Sequence, residues 1–274
     1  MPMLSSGQVE IHYEDTGGDG RPVVLIHGWP LSGASWSEQV PALTEAGYRV
    51  VSYDRRGFGR SAKPGTDSGY DYDTLTGDLD ALMTELDLRD ATLVGFSMGG
   101  GEVARYVGAY GEERLHSVVL AAAIPPCLLK DDAHPDGALT AEDVAGMQEQ
   151  LRADQNGFLD QFMTGFYTAG NDLKVTEAQR QESLVLAGQA EVHAAAESIA
   201  SWVTDFTGDL SKVTVPMLVI HGDSDATVPL EVSGQRSAAA VEGSTLHVVE
   251  QGPHGINVSH ADEFNRVLLG FLDR

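Results

Sequence analysis

Six short apolar runs, rich in β-branched residues, punctuate this chain: VVLI (23–26), YRVVSYD (48–54), ATLVGF (91–96), SVVLAAA (117–123), VPMLVIH (215–221) and STLHVVE (244–250). Each is too short for a helix; VVLI and YRVVSYD read as strands covered on both faces, and the other four complete a set of short strand runs. Ahead of them Val9, Ile11 and Tyr13 alternate with polar residues, and Gly17, Gly18 and Gly20 follow, which reads as two strands around a Gly/Asp turn. Helical stripes lie between the runs. Leu75, Leu79, Leu82, Met83 and Leu86 fall on one helical face, and Phe264, Val267, Leu268 and Phe271 form a similar stripe near the end. Strands alternating with amphipathic helices predict an α/β fold, a mostly parallel central sheet with helices on both faces.

The alternation stops between Pro125 and Lys212. Three segments with helical character, 140–153, 156–167 and 176–203, follow one another there with no strand run between them. This predicts a helical cap insertion over residues 125–212, interrupting a core made of residues 1–124 and 213–274, the whole forming a single domain. No repeat or low-complexity tract is present.

Size and composition narrow the classes. A chain of 274 residues with 42% apolar content can bury a large core, which excludes general disorder. No apolar run approaches the roughly 20 residues of a membrane span. The opening MPMLSSGQVE has neither a basic segment nor an apolar one, so no secretory signal is expected. The single cysteine, Cys127, has no internal disulfide partner, which suits a reducing compartment and a cytoplasmic location. Acidic residues outnumber basic ones 41 to 17, giving a net charge of −24, and only Lys63, Lys130, Lys174 and Lys212 are lysines. Such a surface repels nucleic acid and anionic lipid, so neither is an expected partner. The charge itself reads either as a solubility device or as adaptation to high salt.

One motif bears chemistry. Gly95-Phe96-Ser97-Met98-Gly99 follows a strand run and precedes a helix-like run that begins near Gly99. A serine at the tip of a sharp strand–helix turn is exposed beside the free N–H groups of a helix start, and flanking glycines relieve the crowding such a turn creates. A hydroxyl is a weak nucleophile and needs a base oriented by a carboxylate. In this kind of fold, acid and then histidine follow the serine on loops beyond later strands. Asp223 and Asp225 lie on the loop after the 215–221 run, and loop reach favours Asp225, since Asp223 directly after His221-Gly222 suits a turn former. His254 lies in a Gly/Pro-flanked loop one strand later. His247, inside a strand run, reads as packed, and His260 as a cap or solvent-facing residue of the final helix. The grouping of His221, Asp223 and Asp225 has no recognisable metal-ligand spacing. For the oxyanion, the N–H of Met98 is one donor, and the N–H of Trp29 in the loop LIHGWPLSGASW is the natural second. His27 reads as a satisfied loop histidine. Pro30 has no N–H and restricts Trp29; it reads either as a residue that only stiffens this loop or as one that turns the Trp29 carbonyl toward the acyl carbon, offering an acceptor to bound peroxide. Phe162, Phe166, Trp202, Val228 and Ile256 are apolar residues suited to either an acyl pocket or plain core.

With HGWPLSGASW, YDRRGFGRSAKP (53–64), the segment from Gly95 to Pro126 and HGDSDATVP in place, the chain resembles the α/β-hydrolases, and within them the cofactor-free bacterial haloperoxidase and aryl-esterase group. The resemblance spans essentially the whole chain and is weakest in the cap. It implies Ser97 as nucleophile, Asp225 as acid, His254 as base, and Trp29 and Met98 as oxyanion donors. It implies a carboxylic ester hydrolase needing neither metal nor haem, with hydrogen peroxide able to replace water and yield a peracid that oxidises halide. The expected partner is a small-molecule ester. Members of the group often form symmetric homo-oligomers, though no interface is legible here. The same triad also serves lactam and carbon–carbon bond hydrolases, and some proteins of this fold are non-catalytic receptors.

Overall fold

The computed structural model of the chain describes residues 2–7, 9–65 and 69–274. Its strands are β1 (Met3–Ser6), β2 (Val9–Asp15), β3 (Pro22–Ile26), β4 (Arg49–Tyr53), β5 (Ala91–Phe96), β6 (Leu115–Ala121), β7 (Thr168–Ala169), β8 (Asp172–Leu173), β9 (Met217–Gly222) and β10 (Thr245–Val249). Its helices are α1 (Gln39–Glu45), α2 (Tyr72–Glu85), α3 (Met98–Tyr110), α4 (Ala141–Ala153), α5 (Gln155–Phe166), α6 (Glu177–Ala187), α7 (Val192–Ser201), α8 (Thr207–Leu210), α9 (Gly234–Ala240), α10 (Ile256–Ser259) and α11 (Ala261–Leu272).

Among the described residues one eight-stranded sheet runs in the order β1-β2-β4-β3-β5-β6-β9-β10. The β1/β2 and β2/β4 pairs are antiparallel; the remaining pairs are parallel. Each of the six apolar runs contains a strand. Central β5 is buried along its whole length, as expected where helices cover both faces. The two strands read around the early glycine turn are not paired with each other, because β4 lies between them. One helical layer holds α2, α3, α8 and α9, and α1 packs with α11 in the other.

The strand order fixes where a ligand can approach. From β3 the chain crosses to β4 on one side, then returns to β5 on the other. The loops leaving β3 and β5 therefore diverge and open a crevice at the carboxyl ends of these strands, the usual binding position in open α/β sheets. Between β6 and β9 lie α4 to α8 and the small β7/β8 hairpin, a feature absent from the sequence expectation. The long 176–203 segment breaks into α6 and α7 around Gly188. α8, although within the 125–212 stretch, packs on α3 of the core layer. α2, α4, α5, α6 and α7 each begin with a side-chain cap, from Asp71, Thr140, Asp154, Thr176 and Glu191 respectively, and Thr140 and Thr176 complete capping boxes.

A buried charge cluster ties the crevice walls together. Arg55, just past β4, pairs with Glu102 in the middle of α3; the two side chains are 1% and 0% exposed. Tyr53 donates its hydroxyl to Glu102, and Arg55 Nη2 also donates to the His27 carbonyl at 2.8 Å. Removing one member of a buried pair strands the other charge in a dry environment, at a cost of about 3–5 kcal/mol. Glu102→Ala is therefore expected to lower the free energy of unfolding in guanidinium by roughly that amount. A loss below about 1 kcal/mol would mean that Arg55 finds another partner or water.

Candidate active site

The turn between β5 and α3 is built from backbone constraints. Ser97 has φ +54° and ψ −118°, a left-handed conformation that costs a non-glycine residue on the order of 1–3 kcal/mol. Neighbouring backbone holds it there: Ser97 N–H donates to Ala121 at 2.8 Å, and its carbonyl accepts from Gly100 at 3.0 Å and Ile124 at 3.3 Å. A Cβ on Gly95 would strike the Gly99 backbone, and a Cβ on Gly99 would strike the Ile26 carbonyl. The flanking glycines thus allow close approach, with no need for unusual backbone angles of their own. α3 begins at Met98 without a side-chain cap, because the Ser97 side chain points elsewhere.

It points to His254. Ser97 Oγ lies 2.9 Å from His254 Nε2, and His254 Nδ1 lies 2.7 Å from Asp225 Oδ2. A carboxylate can only accept, so Nδ1 carries the proton and Nε2 is left as the acceptor facing the serine hydroxyl. Asp225 is fixed in turn: its Oδ1 accepts the N–H groups of Thr227 at 2.9 Å and Val228 at 2.8 Å. Burial alone would raise the Asp225 carboxyl, but the imidazoles of His254 and His221 outweigh it and hold the group well below the usual carboxylate range. Ser97, Asp225 and His254 are all buried, at 6%, 5% and 1% exposure, so the contact from hydroxyl to carboxylate lies in a low-dielectric setting.

Asp223, the rival acid, is exposed, and its carboxylate accepts from the neighbouring Ser224 hydroxyl at 2.9 Å. His247 is half-buried, 2.7 Å from Glu263 on α11, and not packed as its strand position suggested. The edge position of β10 gives it only one covered face. His260 precedes α11 without capping it; its ring meets the Ser259 hydroxyl at 2.9 Å.

The loop after β3 faces the serine. A Cβ on Gly28 would meet the Phe96 ring and come within 3.0 Å of Ser97 Cβ, so glycine lets this loop reach the elbow. Trp29 follows, joined to Pro30 by a cis peptide. Among the described residues no acceptor within the chain takes the backbone N–H of Trp29 or of Met98. His27 is fully buried, accepts the Arg55 N–H at Nε2 (3.0 Å) and donates from Nδ1 to the Gly28 carbonyl (2.9 Å). Burial first, then the Arg55 charge, push this imidazole well below its ordinary range, so it stays neutral. His27, Arg55 and Glu102 therefore fix the loop to α3.

The helical insertion closes the top. Trp29 Nε1 donates to the Ala195 carbonyl of α7 at 2.9 Å, and its ring meets those of Phe162 at 4.9 Å and Trp202 at 5.0 Å edge-on. Phe166 packs edge-on against His254 at 4.8 Å. Val228 and Ile256 are buried nearby in sequence to Asp225 and His254. A cavity of about 280 Å³ between α4, α5 and the Asp225 loop is lined by Met147, Phe158, Phe162, Ala226 and Thr227. Arg55 and Glu102 support the site without any local sequence signal, and His221, weighed in the sequence only as a metal ligand, supports the Asp225 carboxylate. His221 Nε2 donates to the Val228 carbonyl at 2.8 Å and sits 3.3 Å from Asp225 Oδ2.

Residues 21–261 match a family model described as the alpha/beta hydrolase fold. The chain is 44% identical to a non-heme chloroperoxidase of Kitasatospora aureofaciens over the full length of both. It is 37% identical to a bifunctional esterase/perhydrolase of Acinetobacter calcoaceticus, over 96% of each chain. Its structure superimposes on that of a bromoperoxidase from Bacillus anthracis with a TM-score of 0.96, at 49% identity over 100% of this chain and 99% of that one.

The geometry separates the two aspartates sharply. Asp225→Asn leaves an amide that cannot hold the imidazole in its present tautomer, and turnover of a chromogenic ester is expected to fall about 10⁴-fold. Asp223→Asn is expected to leave turnover nearly unchanged, and the reverse ranking would reassign the acid.

Proposed function

The chain belongs to the α/β-hydrolase fold family and is a hydrolase; from that premise we propose that it cleaves small carboxylic esters through an acyl-enzyme on Ser97 and can pass the acyl group to hydrogen peroxide as well as to water. The observation that carries this reading is the continuous contact from Ser97 Oγ through His254 to Asp225, at 2.9 and 2.7 Å.

The steps follow from that contact. As Ser97 Oγ attacks the ester carbonyl carbon, its proton passes to His254 Nε2. The imidazolium that forms is stabilised by the Asp225 carboxylate, which stays ionised because two backbone N–H groups and His221 support its charge. The carbonyl oxygen becomes an oxyanion, for which the N–H groups of Met98 and Trp29 are the donors; each such donor contributes about 10²–10³ in rate. His254 then gives its proton to the leaving alcohol. Water or peroxide enters, loses its proton to the same nitrogen and attacks the acyl carbon; the bond to Ser97 Oγ breaks, Oγ takes the proton back from His254, and an acid or a peracid is released. Halide oxidation by the freed peracid would account for haloperoxidase behaviour without a bound oxidant. The relatives named as chloroperoxidase and as esterase/perhydrolase support this pairing of acceptors.

Pro30 supplies a reason for peroxide to compete. It follows the oxyanion residue directly, and the turn around it is closed by Leu31 N–H donating to Gly28 at 3.0 Å. A Trp29 carbonyl held toward the acyl carbon accepts a hydrogen bond from the distal O–H of a peroxide whose other proton goes to His254, which favours peroxide as the second acceptor.

A panel of p-nitrophenyl esters, assayed with and without peroxide, tests the reading. Turnover is expected to fall about 10⁶-fold in Ser97→Ala. Pro30→Leu is expected to lower the ratio of peracid to acid product while preserving ester cleavage. Unaltered turnover in Ser97→Ala would remove the mechanism, and an unaltered product ratio in Pro30→Leu would remove the role given to the proline.

A further inference from the structure

Beyond the triad, one cluster of metal-binding side chains stands out among the described residues. Cys127, His134 and Asp205 each offer a ligand atom, and these atoms all lie within 4.8 Å of one another. They come from three segments. Cys127 follows β6 immediately after Pro125 and Pro126, His134 closes the next turn, and Asp205 lies at the far end of the insertion, just before α8. Backbone bonds hold these segments in register. Phe206 N–H donates to the Pro126 carbonyl at 2.8 Å, setting Asp205 beside Cys127. Lys130 N–H donates to Leu139 at 2.7 Å, closing the loop that carries His134.

The donors are oriented as well as close. Asp131 Oδ1 takes the N–H groups of Ala133 (2.9 Å) and His134 (2.8 Å) and faces His134 Nδ1 at 2.9 Å. A carboxylate accepts only, so Nδ1 carries the proton and the lone pair sits on Nε2. Nε2 lies 3.6 Å from Asp205 Oδ2, too far for a hydrogen bond. That separation is close to the about 3.4 Å expected between two ligands bound tetrahedrally to one zinc ion at about 2.0–2.1 Å each. Asp205 Oδ1 is already engaged by Thr207 N–H at 2.8 Å, which turns Oδ2 toward the cluster. A carboxylate behind a ligating imidazole is a common supporting arrangement at zinc sites. The thiol is fully buried at 0% exposure, and the chain's net charge of −24 favours a cation.

We propose that Cys127, His134 and Asp205 bind a zinc ion, with water as the fourth ligand, and that this ion clamps the start of the helical insertion to its end. A set of one sulfur, one imidazole and one carboxylate selects a borderline-soft ion such as zinc over magnesium or calcium. On binding, the Cys127 proton leaves to solvent as the zinc–sulfur bond forms. The ion lies outside the Ser97 relay and takes no part in ester cleavage. It acts on the loop that begins beside the nucleophile, where Ile124 N–H donates to the Ser97 carbonyl at 3.3 Å.

The test uses the full chain, stripped with a chelator and titrated with zinc by calorimetry and with cobalt by absorption. One zinc per chain, a thiolate-to-cobalt charge-transfer band in the near ultraviolet, and a melting temperature raised by zinc are expected. Cys127→Ser should abolish the band. His134→Gln and Asp205→Asn, at partly exposed positions that the fold tolerates, should each weaken zinc binding at least tenfold. Asp131→Asn should weaken it about 10–100-fold through the imidazole alone. Absence of the cobalt band in the unsubstituted chain, or zinc affinity and stoichiometry unchanged in His134→Gln and Asp205→Asn, would overturn the proposal.

Discussion

The hydrogen bond between His254 Nδ1 and Asp225 Oδ2, 2.7 Å long and sealed from solvent, is the interaction on which the site depends. It selects the imidazole tautomer, and so decides whether Nε2 meets Ser97 as an acceptor or as a donor. A buried carboxylate this close to an imidazole would ordinarily be costly. Here the cost is offset by two backbone N–H groups, from Thr227 and Val228, on Oδ1 and by His221 beside Oδ2, the oxygen that also meets His254. The loop after β9 therefore exists to hold one carboxylate ionised in a dry place, and the loop after β10 to bring one ring to it.

The serine side of the relay is maintained by strain and by its opposite, dense packing. Ser97 sits in a left-handed conformation that relaxes unless its surroundings forbid it. Those surroundings are glycine contacts: Gly95 against Gly99, Gly99 against β3, and Gly28 against Phe96 and Ser97. Behind them the Arg55–Glu102 pair, with His27 and Tyr53, joins the loop after β3 to α3. The loop after β3 and helix α3 are thus coupled through one buried charge cluster, so their spacing is a property of the core. Aromatic rings from α5 and the residue after α7 then shut out water above Trp29 and His254.

Local chemistry made much of this legible in the sequence. The six apolar runs became strands, and Ser97, Asp225 and His254 meet because a parallel sheet delivers all its strand ends to one edge. What was not legible depends on distant partners. β1 has four residues and no alternation, and becomes a strand only through pairing with β2. α1 is short and contains Pro41, so periodicity carries no signal there. Glu102 lies in GGGEVARY, where no local spacing marks it; only the return of Arg55 from β4 makes it a core residue. His247 pairs with Glu263 and is not packed because its strand lies at the sheet edge, a fact that belongs to sheet order. The cluster of Cys127, His134 and Asp205 brings together residues from the two ends of the insertion, a proximity that no sequence spacing reveals.

Covalent trapping addresses the central claim most directly. Incubation with a fluorophosphonate, followed by peptide mass spectrometry, should give a single adduct on the Ser97 hydroxyl, with the rate of labelling sharply reduced in His254→Ala. A chain that remains unlabelled under conditions where a control serine esterase reacts fully, or one labelled elsewhere with Ser97 intact, would contradict the account.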